Sequence, residues 1–164
     1  MSRNKRPLTS SQAMNRAAAL CARSEQAPCD IGLKLIKWGL NAGEAAQVLQ
    51  QLTEQGFIDE KRFAHAFVKD RFAFNGWGKI KIAYQLRQKG ISSEMIDEAM
   101  TAIDDEVYRQ RLTELLCAKW RTVKERDPRA AWAAMMRFAS SRGFETTLAS
   151  DCIKKVTQID VEDD

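Results

Sequence analysis

The sequence is poor in the residues that build metal sites and catalytic sites. It holds a single histidine, His65, and four cysteines that form no CxxC pair. A structural zinc site needs four closely spaced cysteine or histidine ligands, so this pattern argues against one. No catalytic constellation is recognisable, and the segment around Gly76 lacks the spacing of a phosphate-binding loop. We therefore predict that the protein is not an enzyme and uses no cofactor or metal.

Long apolar runs are missing as well. No segment approaches the roughly 18 consecutive apolar residues that a membrane span requires. The first residues, MSRNKRPLTSS, are basic and lack the apolar stretch of a secretory signal. Cys21 and Cys117, which lie among alanine and leucine, are typical of buried thiols in a reducing compartment. These features predict a cytoplasmic protein without membrane contact.

Strand signals are equally scarce. The chain has three prolines and no useful stretch of alternating apolar and polar residues. Alanine, leucine, glutamine, glutamate, lysine and arginine, which favour helices, are abundant. The predicted fold class is all-α.

Internal repetition organises the chain. Gly39, Gly90 and Gly143 recur about every 50 residues, and each follows a helix with apolar periodicity and precedes another short helix. A further helix lies upstream of each glycine. One such unit buries little surface alone, so we expect the units to stack as an elongated, curved, right-handed array of three tandem three-helix repeats. The predicted segments are a flexible basic tail at 1–10, repeats at 11–58, 59–103 and 104–157, and an acidic tail at 158–164.

Capping signals place several helix ends. Asn41 and Glu44 have the spacing of a capping box, and Asp59 and Ser92 can each cap the helix that follows. Gly90 stands where a left-handed helix end needs a residue without a Cβ atom. For the last helix, Thr146 or Thr147 can serve as the cap, although Glu145 occupies the position that Asn41 and Ser92 hold in the other repeats, which leaves this boundary open.

The net charge of +4 is modest but unevenly distributed. Residues 69–89 carry six basic side chains and one acidic side chain, whereas the last eight residues carry four acids and no base. Such a basic segment favours contact with nucleic acid or an acidic protein surface, although a solvated face is the ordinary explanation for any single lysine. Trp77 either contacts a partner or fills the gap between two helices. The predicted contact residues are Lys69, Arg71, Trp77, Lys79, Lys81, Arg87 and Lys89.

The phrases GFIDEKRFAHAFVKDR, GWGKIKIAYQLRQKGI and IDEAM, which follow one another between Gly56 and Met100, resemble the RecX family of regulatory proteins. The resemblance implies tandem three-helix repeats. It also implies a monomer that binds RecA, the recombinase that forms filaments on single-stranded DNA, and RecA–DNA filaments. The expected effect is inhibition of recombinase, ATPase and coprotease activities, which modulates recombination, DNA repair and the SOS response. Direct contact with DNA stays open. The alternative is a stand-alone helical DNA-binding protein that acts through its basic central repeat.

Overall fold

The structure, a computed structural model, describes residues 6–162, with side chains described through residue 158. This part of the chain contains helices and loops and no strand, which confirms the all-α prediction. None of its helices is long and apolar enough to cross a bilayer. Its helices are α1 (Ser10–Arg23), α2 (Pro28–Lys37), α3 (Ala42–Glu54), α4 (Glu60–Ala73), α5 (Lys79–Gln88), α6 (Ser93–Met100), α7 (Asp105–Val123), α8 (Pro128–Ser141) and α9 (Thr146–Glu162).

Local signals in the sequence place most helix ends. Asn41 and Glu44 form the predicted capping box, in which each side chain accepts from the other residue's backbone N–H, at 2.8 and 3.3 Å. Asp59 and Ser92 cap α4 and α6 as expected, through bonds of 3.0 and 3.3 Å. Gly90 ends α5 with a left-handed φ of 77°. These contacts satisfy backbone groups that a helix end leaves without a partner.

The start of α9 differs from the prediction. The helix begins at Thr146, so Glu145 rather than a threonine occupies the position before it, and the Glu145 carbonyl accepts from the N–H of Ala149 at 2.9 Å. The Glu145 carboxylate accepts from the hydroxyl of Tyr108 in α7 at 2.8 Å. A tertiary contact therefore holds this residue, which local capping rules do not take into account.

The helices pack in consecutive triplets, α1–α3, α4–α6 and α7–α9. The first triplet has a core of its own, which contains Ile31, Leu35 and Leu52. The second and third triplets share one continuous core, to which Leu86 and Leu116 both belong. The chain is therefore a helical repeat whose buried side chains are divided between two cores.

The ends of the repeats extend beyond the predicted boundaries. Leu8 donates its N–H to the carbonyl of Trp38 at 2.9 Å, and its side chain packs against the first core. The first repeat therefore includes residues of the expected tail at 1–10, of which residues 1–5 lie outside the described part. At the other end, α9 continues to Glu162, into the segment expected to be an acidic tail.

The middle helices of the three triplets meet end to end. Two carbonyls at the end of α8, those of Arg142 and Gly143, accept from N–H groups at the start of α5 at 2.7 and 3.0 Å. The carbonyl of Lys89, just after α5, accepts from the thiol of Cys29 at the start of α2 at 2.9 Å. These contacts join the three triplets in chain order, and the elongation, curvature and handedness of the array stay predictions.

Candidate functional site

Four of the seven predicted contact residues lie in or next to the loop between α4 and α5, residues 74–78; these are Arg71, Trp77, Lys79 and Lys81. Gly76 turns the chain with a left-handed φ of 65°, and the N–H of Trp77 bonds to the carbonyl of Arg71 at 3.1 Å. The loop thus folds back on the end of α4, so that α5 starts beside it. As a result, Arg71 at the end of α4 and Lys81 at the start of α5 both lie over the ring of Trp77.

Trp77 fills the gap between the two helices. Its half-buried ring packs against the shared core and lies edge-on to Phe67, with the ring centroids 6.4 Å apart. The guanidinium carbon of Arg71 lies 5.2 Å from the Trp77 ring centroid, and the ammonium of Lys81 lies 4.6 Å from it. Such cation–π contacts hold charged side chains in place. Trp77 therefore positions cations, and little of its ring is left for a stacked base.

Two of the predicted contact lysines are engaged within the chain. The ammonium of Lys79 lies 4.6 Å from the ring centroid of Tyr108 and 3.7 Å from the carboxylate of Asp105. Lys89 pairs with Asp30 of the first triplet at 2.7 Å. Each lysine therefore helps to join two triplets. Their contact with a partner stays a prediction, and the structure favours a role in the joints.

Lys69 and Arg87 are exposed and lie apart from the loop. Lys69 lines an apolar groove together with Phe72 and Val107. Arg87 lies on the outer face of α5, which it shares with Tyr84 at helical spacing. The seven predicted residues therefore do not form one surface, because the helices carry them to different sides.

The third triplet supplies basic residues to the loop that were not expected from the sequence. Arg142 donates from Nη1 to the carbonyl of Asn75 at 3.0 Å. The guanidinium of Arg111 lies beside Gly76. Arg142 immediately precedes Gly143 as Lys89 precedes Gly90, so the repeat pattern contained a signal for this basic position. No such signal marked Arg111.

A second aromatic ring holds two of the cations from the third triplet. Arg142 and Lys119 lie over the ring of Phe138, at 5.2 and 5.7 Å from its centroid. Together with the two cations over Trp77 and with Arg111 beside Gly76, they form a set that spans the second and third repeats. We call this set the basic cluster; its members are Arg71, Lys81, Arg111, Lys119 and Arg142.

Few acidic side chains neutralise the positive charge of the basic cluster. Among the side chains that the structure describes, the one carboxylate paired with it is Glu114, which lies 3.8 Å from Nη1 of Arg111. The Nε atom of Arg111 is buried and has no hydrogen-bond acceptor there. Like charges held together repel one another unless an anion or solvent compensates them. The arrangement therefore suits an anionic partner. Within the described residues, no group of histidine, cysteine and carboxylate side chains could hold a metal ion.

Tyr108 links α5, α7 and the start of α9 next to this site. Its hydroxyl accepts from the N–H of Lys79 at 3.0 Å and donates to the carboxylate of Glu145 at 2.8 Å. Burial raises the pKa of Tyr108 far above its ordinary value, and the hydrogen bond to Glu145 and the charge of that carboxylate raise it further. The hydroxyl therefore keeps its proton and serves as a fixed link between the second and third repeats.

We expect Tyr108→Phe to lower the free energy of unfolding by about 1–2 kcal/mol near neutral pH, because it leaves the Lys79 N–H and the Glu145 carboxylate without their partner. The loss should shrink in alkali. An unfolded tyrosine ionises near pH 10, whereas the folded one stays protonated, so the contribution of the hydroxyl is full below about pH 10 and falls as the pH rises further.

Denaturant unfolding of the original chain and the Tyr108→Phe variant at pH 8 and pH 11 measures this change. Tyr84→Phe is the matched control. The Tyr84 side chain is 54% exposed, so removal of its hydroxyl should change the free energy of unfolding little. A stability gap between the original chain and Tyr108→Phe that is undiminished at pH 11 would contradict the assignment.

Comparison with known proteins finds relatives of this chain in one family. Residues 59–100 match the family described as "RecX, second three-helix domain". The Regulatory protein RecX of Mycolicibacterium vanbaalenii is 34% identical over 147 residues, which cover 84% of this chain and 80% of that protein. The Regulatory protein RecX of Mycolicibacterium smegmatis is 30% identical over 147 residues, which cover 87% of this chain and 78% of that protein.

Solved structures share the fold. A crystal structure of regulatory protein RecX superimposes with a TM-score of 0.77 at 22% identity, over 89% of this chain and 73% of that one. The crystal structure of RecX from Lactobacillus salivarius superimposes with a TM-score of 0.80 at 15% identity, over 91% of this chain and 97% of that one. Fold and surface together define an all-α helical-repeat protein with a basic surface across two repeats. The sequence similarity goes further, and the chain belongs to the RecX family of regulatory proteins.

Proposed function

We propose that this chain binds RecA and RecA filaments on single-stranded DNA, and inhibits the recombinase, ATPase and coprotease activities of RecA. In this role it is a monomeric, non-catalytic regulator that modulates recombination, DNA repair and the SOS response in the cytoplasm. The observation that carries the proposal is the similarity to regulatory proteins RecX over most of the chain.

The outer face of α2 and α5 is suited to contact a protein filament. Large apolar side chains are exposed on both helices: Leu33 is 71%, Ile36 49%, Ile80 53% and Tyr84 54% exposed. Leu33 and Tyr84 occupy equivalent positions in two repeats. Because α5 and α2 meet end to end, these side chains lie on helices that follow one another from repeat to repeat. Exposed apolar side chains in such an arrangement are typical of protein contact surfaces, and we assign this face to RecA.

Inhibition then follows from selective binding. A regulator changes filament activity only if it binds one state of the filament more tightly than another. An extended array that contacts adjacent RecA subunits favours the subunit spacing that matches its own repeat joints. The activities that need a different spacing are reduced in proportion to the occupancy of the filament.

Adding the chain to RecA on single-stranded DNA should lower the rate of ATP hydrolysis progressively, with strong inhibition by stoichiometric amounts. Leu33→Glu combined with Tyr84→Glu should raise the concentration needed for half-inhibition about tenfold or more, because central interface residues each contribute about 1–2 kcal/mol or more. Val107→Glu is the matched control, since Val107 is 50% exposed but lies on α7, outside this face.

The measurement is a coupled ATPase assay, supported by co-sedimentation of the chain with filaments and circular dichroism of each variant. The absence of both inhibition and co-sedimentation at stoichiometric ratios would contradict the proposed function. Equal effects of the double variant and of Val107→Glu would leave the function standing and refute the assigned face.

A further inference from the structure

An apolar groove on the second repeat lies outside the face of α2 and α5 that is assigned to RecA. It runs between α4 and the turn that joins α6 to α7, and its volume is about 450 Å³. Val68 and Ile103 of the core line it together with the half-buried ring of Phe72 and with Val107, which is 50% exposed. Ligand sites are commonly concave, mostly apolar and of this size. The groove is therefore a candidate docking site.

The repeat pattern shows which residues of the first repeat correspond to this groove. Asp59 caps α4 and Asp104 caps α7, and each carboxylate accepts from the backbone N–H three residues later, at 3.0 and 3.1 Å. Counting from these two caps aligns the turn before α4 with the turn before α7. The matching pairs are Phe57 with Ala102, Ile58 with Ile103, and Arg62 with Val107.

The first repeat covers its own turn with two large side chains. The ring of Phe57 is half-buried and packs against the first core. Arg62 lies along the same turn, where Nη2 donates to the carbonyl of Gly56 at 2.8 Å and Nε donates to the carboxylate of Glu25, just beyond α1, at 3.0 Å. At this position the fold therefore accommodates an aromatic ring that a polypeptide segment carries.

The second repeat has small residues at the matching positions. Ala102 is exposed and carries no ring, and Val107 lacks the length and the charge with which Arg62 crosses the turn. Ile103 is buried as its counterpart Ile58 is, so the backbone follows the same course in both turns. The groove is thus the space that an aromatic side chain occupies in the first repeat, and it accepts such a side chain from another protein.

The charge beside the groove selects an acidic partner. Lys69 lines the groove from α4 and is exposed, and among the described side chains no carboxylate lies within ion-pair distance of it. The carboxylate of Asp104, which also lines the groove, is engaged as the cap of α7. Complementary charge at the edge of a contact favours one kind of partner over another. A carboxylate next to the inserted ring would pair with Lys69.

We propose that this groove binds an acidic segment of a protein other than RecA, which inserts one aromatic side chain between α4 and the α6–α7 turn. The place of the ring is the one that Phe57 takes in the first repeat, and Lys69 pairs with a carboxylate of the segment. Because the groove lies apart from the face assigned to RecA, the chain can hold this partner while it is bound to a filament.

The test is a titration of the isotope-labelled full chain with N-acetylphenylalaninate, a probe that joins one aromatic ring to one carboxylate, followed by amide NMR shifts. Shifts should concentrate on residues 65–73 and 102–107, with a Kd of about 1–10 mM, as expected for so small a ligand. The uncharged N-acetylphenylalaninamide should bind about threefold more weakly, because an exposed ion pair contributes a factor of about 1.4–5.

Two variants test the two parts of the site. Ala102→Phe supplies the ring from within the chain, so it should weaken probe binding at least about tenfold and raise the midpoint of denaturant unfolding. Ala22→Phe is the matched control at an exposed alanine of α1 and should change neither. Lys69→Gln should lower the affinity for the anion to that for the amide, whereas Lys34→Gln, on α2, should leave the difference between the two probes intact.

Three results would overturn the inference: shifts scattered outside the groove, equal affinities for the anion and the amide, or undiminished binding in Ala102→Phe. Self-association is tested by sedimentation at high protein concentration, since Phe74 is 83% exposed and is itself an aromatic side chain that a second copy could insert. Association that both Phe74→Ser and Ala102→Phe abolish would make the occupant a second copy and would also overturn the inference.

The RecA assay separates this inference from the proposed function. Ala102→Phe and Val107→Glu both alter the groove and should leave the inhibition of RecA unchanged. Loss of inhibition in a folded Ala102→Phe variant would assign the groove to RecA and refute this inference, while the proposed function stands. Binding of the probe as expected, without inhibition of RecA by the original chain, would refute the proposed function alone.

Discussion

Replacing Gly78 with alanine is expected to lower the free energy of unfolding by about 2–4 kcal/mol. Gly78 stands at the start of α5, where its backbone touches the chain that leaves α8. A Cβ atom there would overlap the carbonyl of Gly143 and the N–H of Phe144, which are backbone groups that cannot rotate away. The joint must open, and the bonds from Gly78 N to the Arg142 carbonyl at 2.7 Å and from Ile80 N to the Gly143 carbonyl at 3.0 Å weaken with it.

The backbone of Gly78 makes this a clean experiment. Its φ of −79° suits any residue, so alanine introduces no conformational strain and the effect reports the close approach alone. Gly32→Ala is the matched control, because a Cβ atom at Gly32 would make only an ordinary contact with Leu49 at 3.5 Å. Gly32 lies inside α2, so alanine should stabilise the chain by up to about 1 kcal/mol. Denaturant unfolding compares the variants, and a loss below about 0.5 kcal/mol in Gly78→Ala would show that this joint is not tightly packed.

Leu52→Ala and Leu86→Ala are each expected to lower the free energy of unfolding by about 2–5 kcal/mol. The two substitutions should loosen different parts of the chain. Both leucines are fully buried. Leu52 belongs to the core of the first triplet alone, whereas Leu86 belongs to the core that the second and third triplets share. Regions that share a core tend to open together, so the two cavities should loosen different sets of helices.

Hydrogen exchange followed by mass spectrometry measures the extent of each effect. Leu52→Ala should speed exchange in α1–α3 and leave α7–α9 protected. Leu86→Ala should speed exchange in α4–α6 and α7–α9 together. Since the two variants remove the same atoms, each is the control for the other. Faster exchange confined to α4–α6 in Leu86→Ala would show three independent units, and an effect spread over all helices in both variants would show a single one.

Local features of the fold followed from the sequence because their causes lie within a few residues. The capping box of Asn41 and Glu44 and the left-handed end at Gly90 involve neighbours in the chain, so short motifs were sufficient to place them. The periodic glycines likewise predicted a repeat. Where a helix end involved a distant residue, as at Glu145 with its bond to Tyr108, local capping rules favoured a threonine and only the repeat pattern pointed to Glu145.

The candidate site was predictable only in part. The basic segment of the second repeat pointed to Arg71 and Lys81, and both lie in the basic cluster. The same segment included Lys79 and Lys89, which face Asp105 and Asp30 across repeat joints. Charge along a sequence does not show which cations have acidic partners, because those partners come from other repeats.

The sequence by itself determined the helices, most of their ends and their repetition, because caps, turn glycines and apolar periodicity act over a few residues. Only the tertiary structure decided how the repeats share their cores and which cations meet. The end-to-end contact of α8 with α5 brings Arg142 to Asn75 at 3.0 Å, although they lie in different repeats. That contact depends on the close approach of two backbones at Gly78 and Gly143, and it is this approach that places residues of the third repeat around a loop of the second.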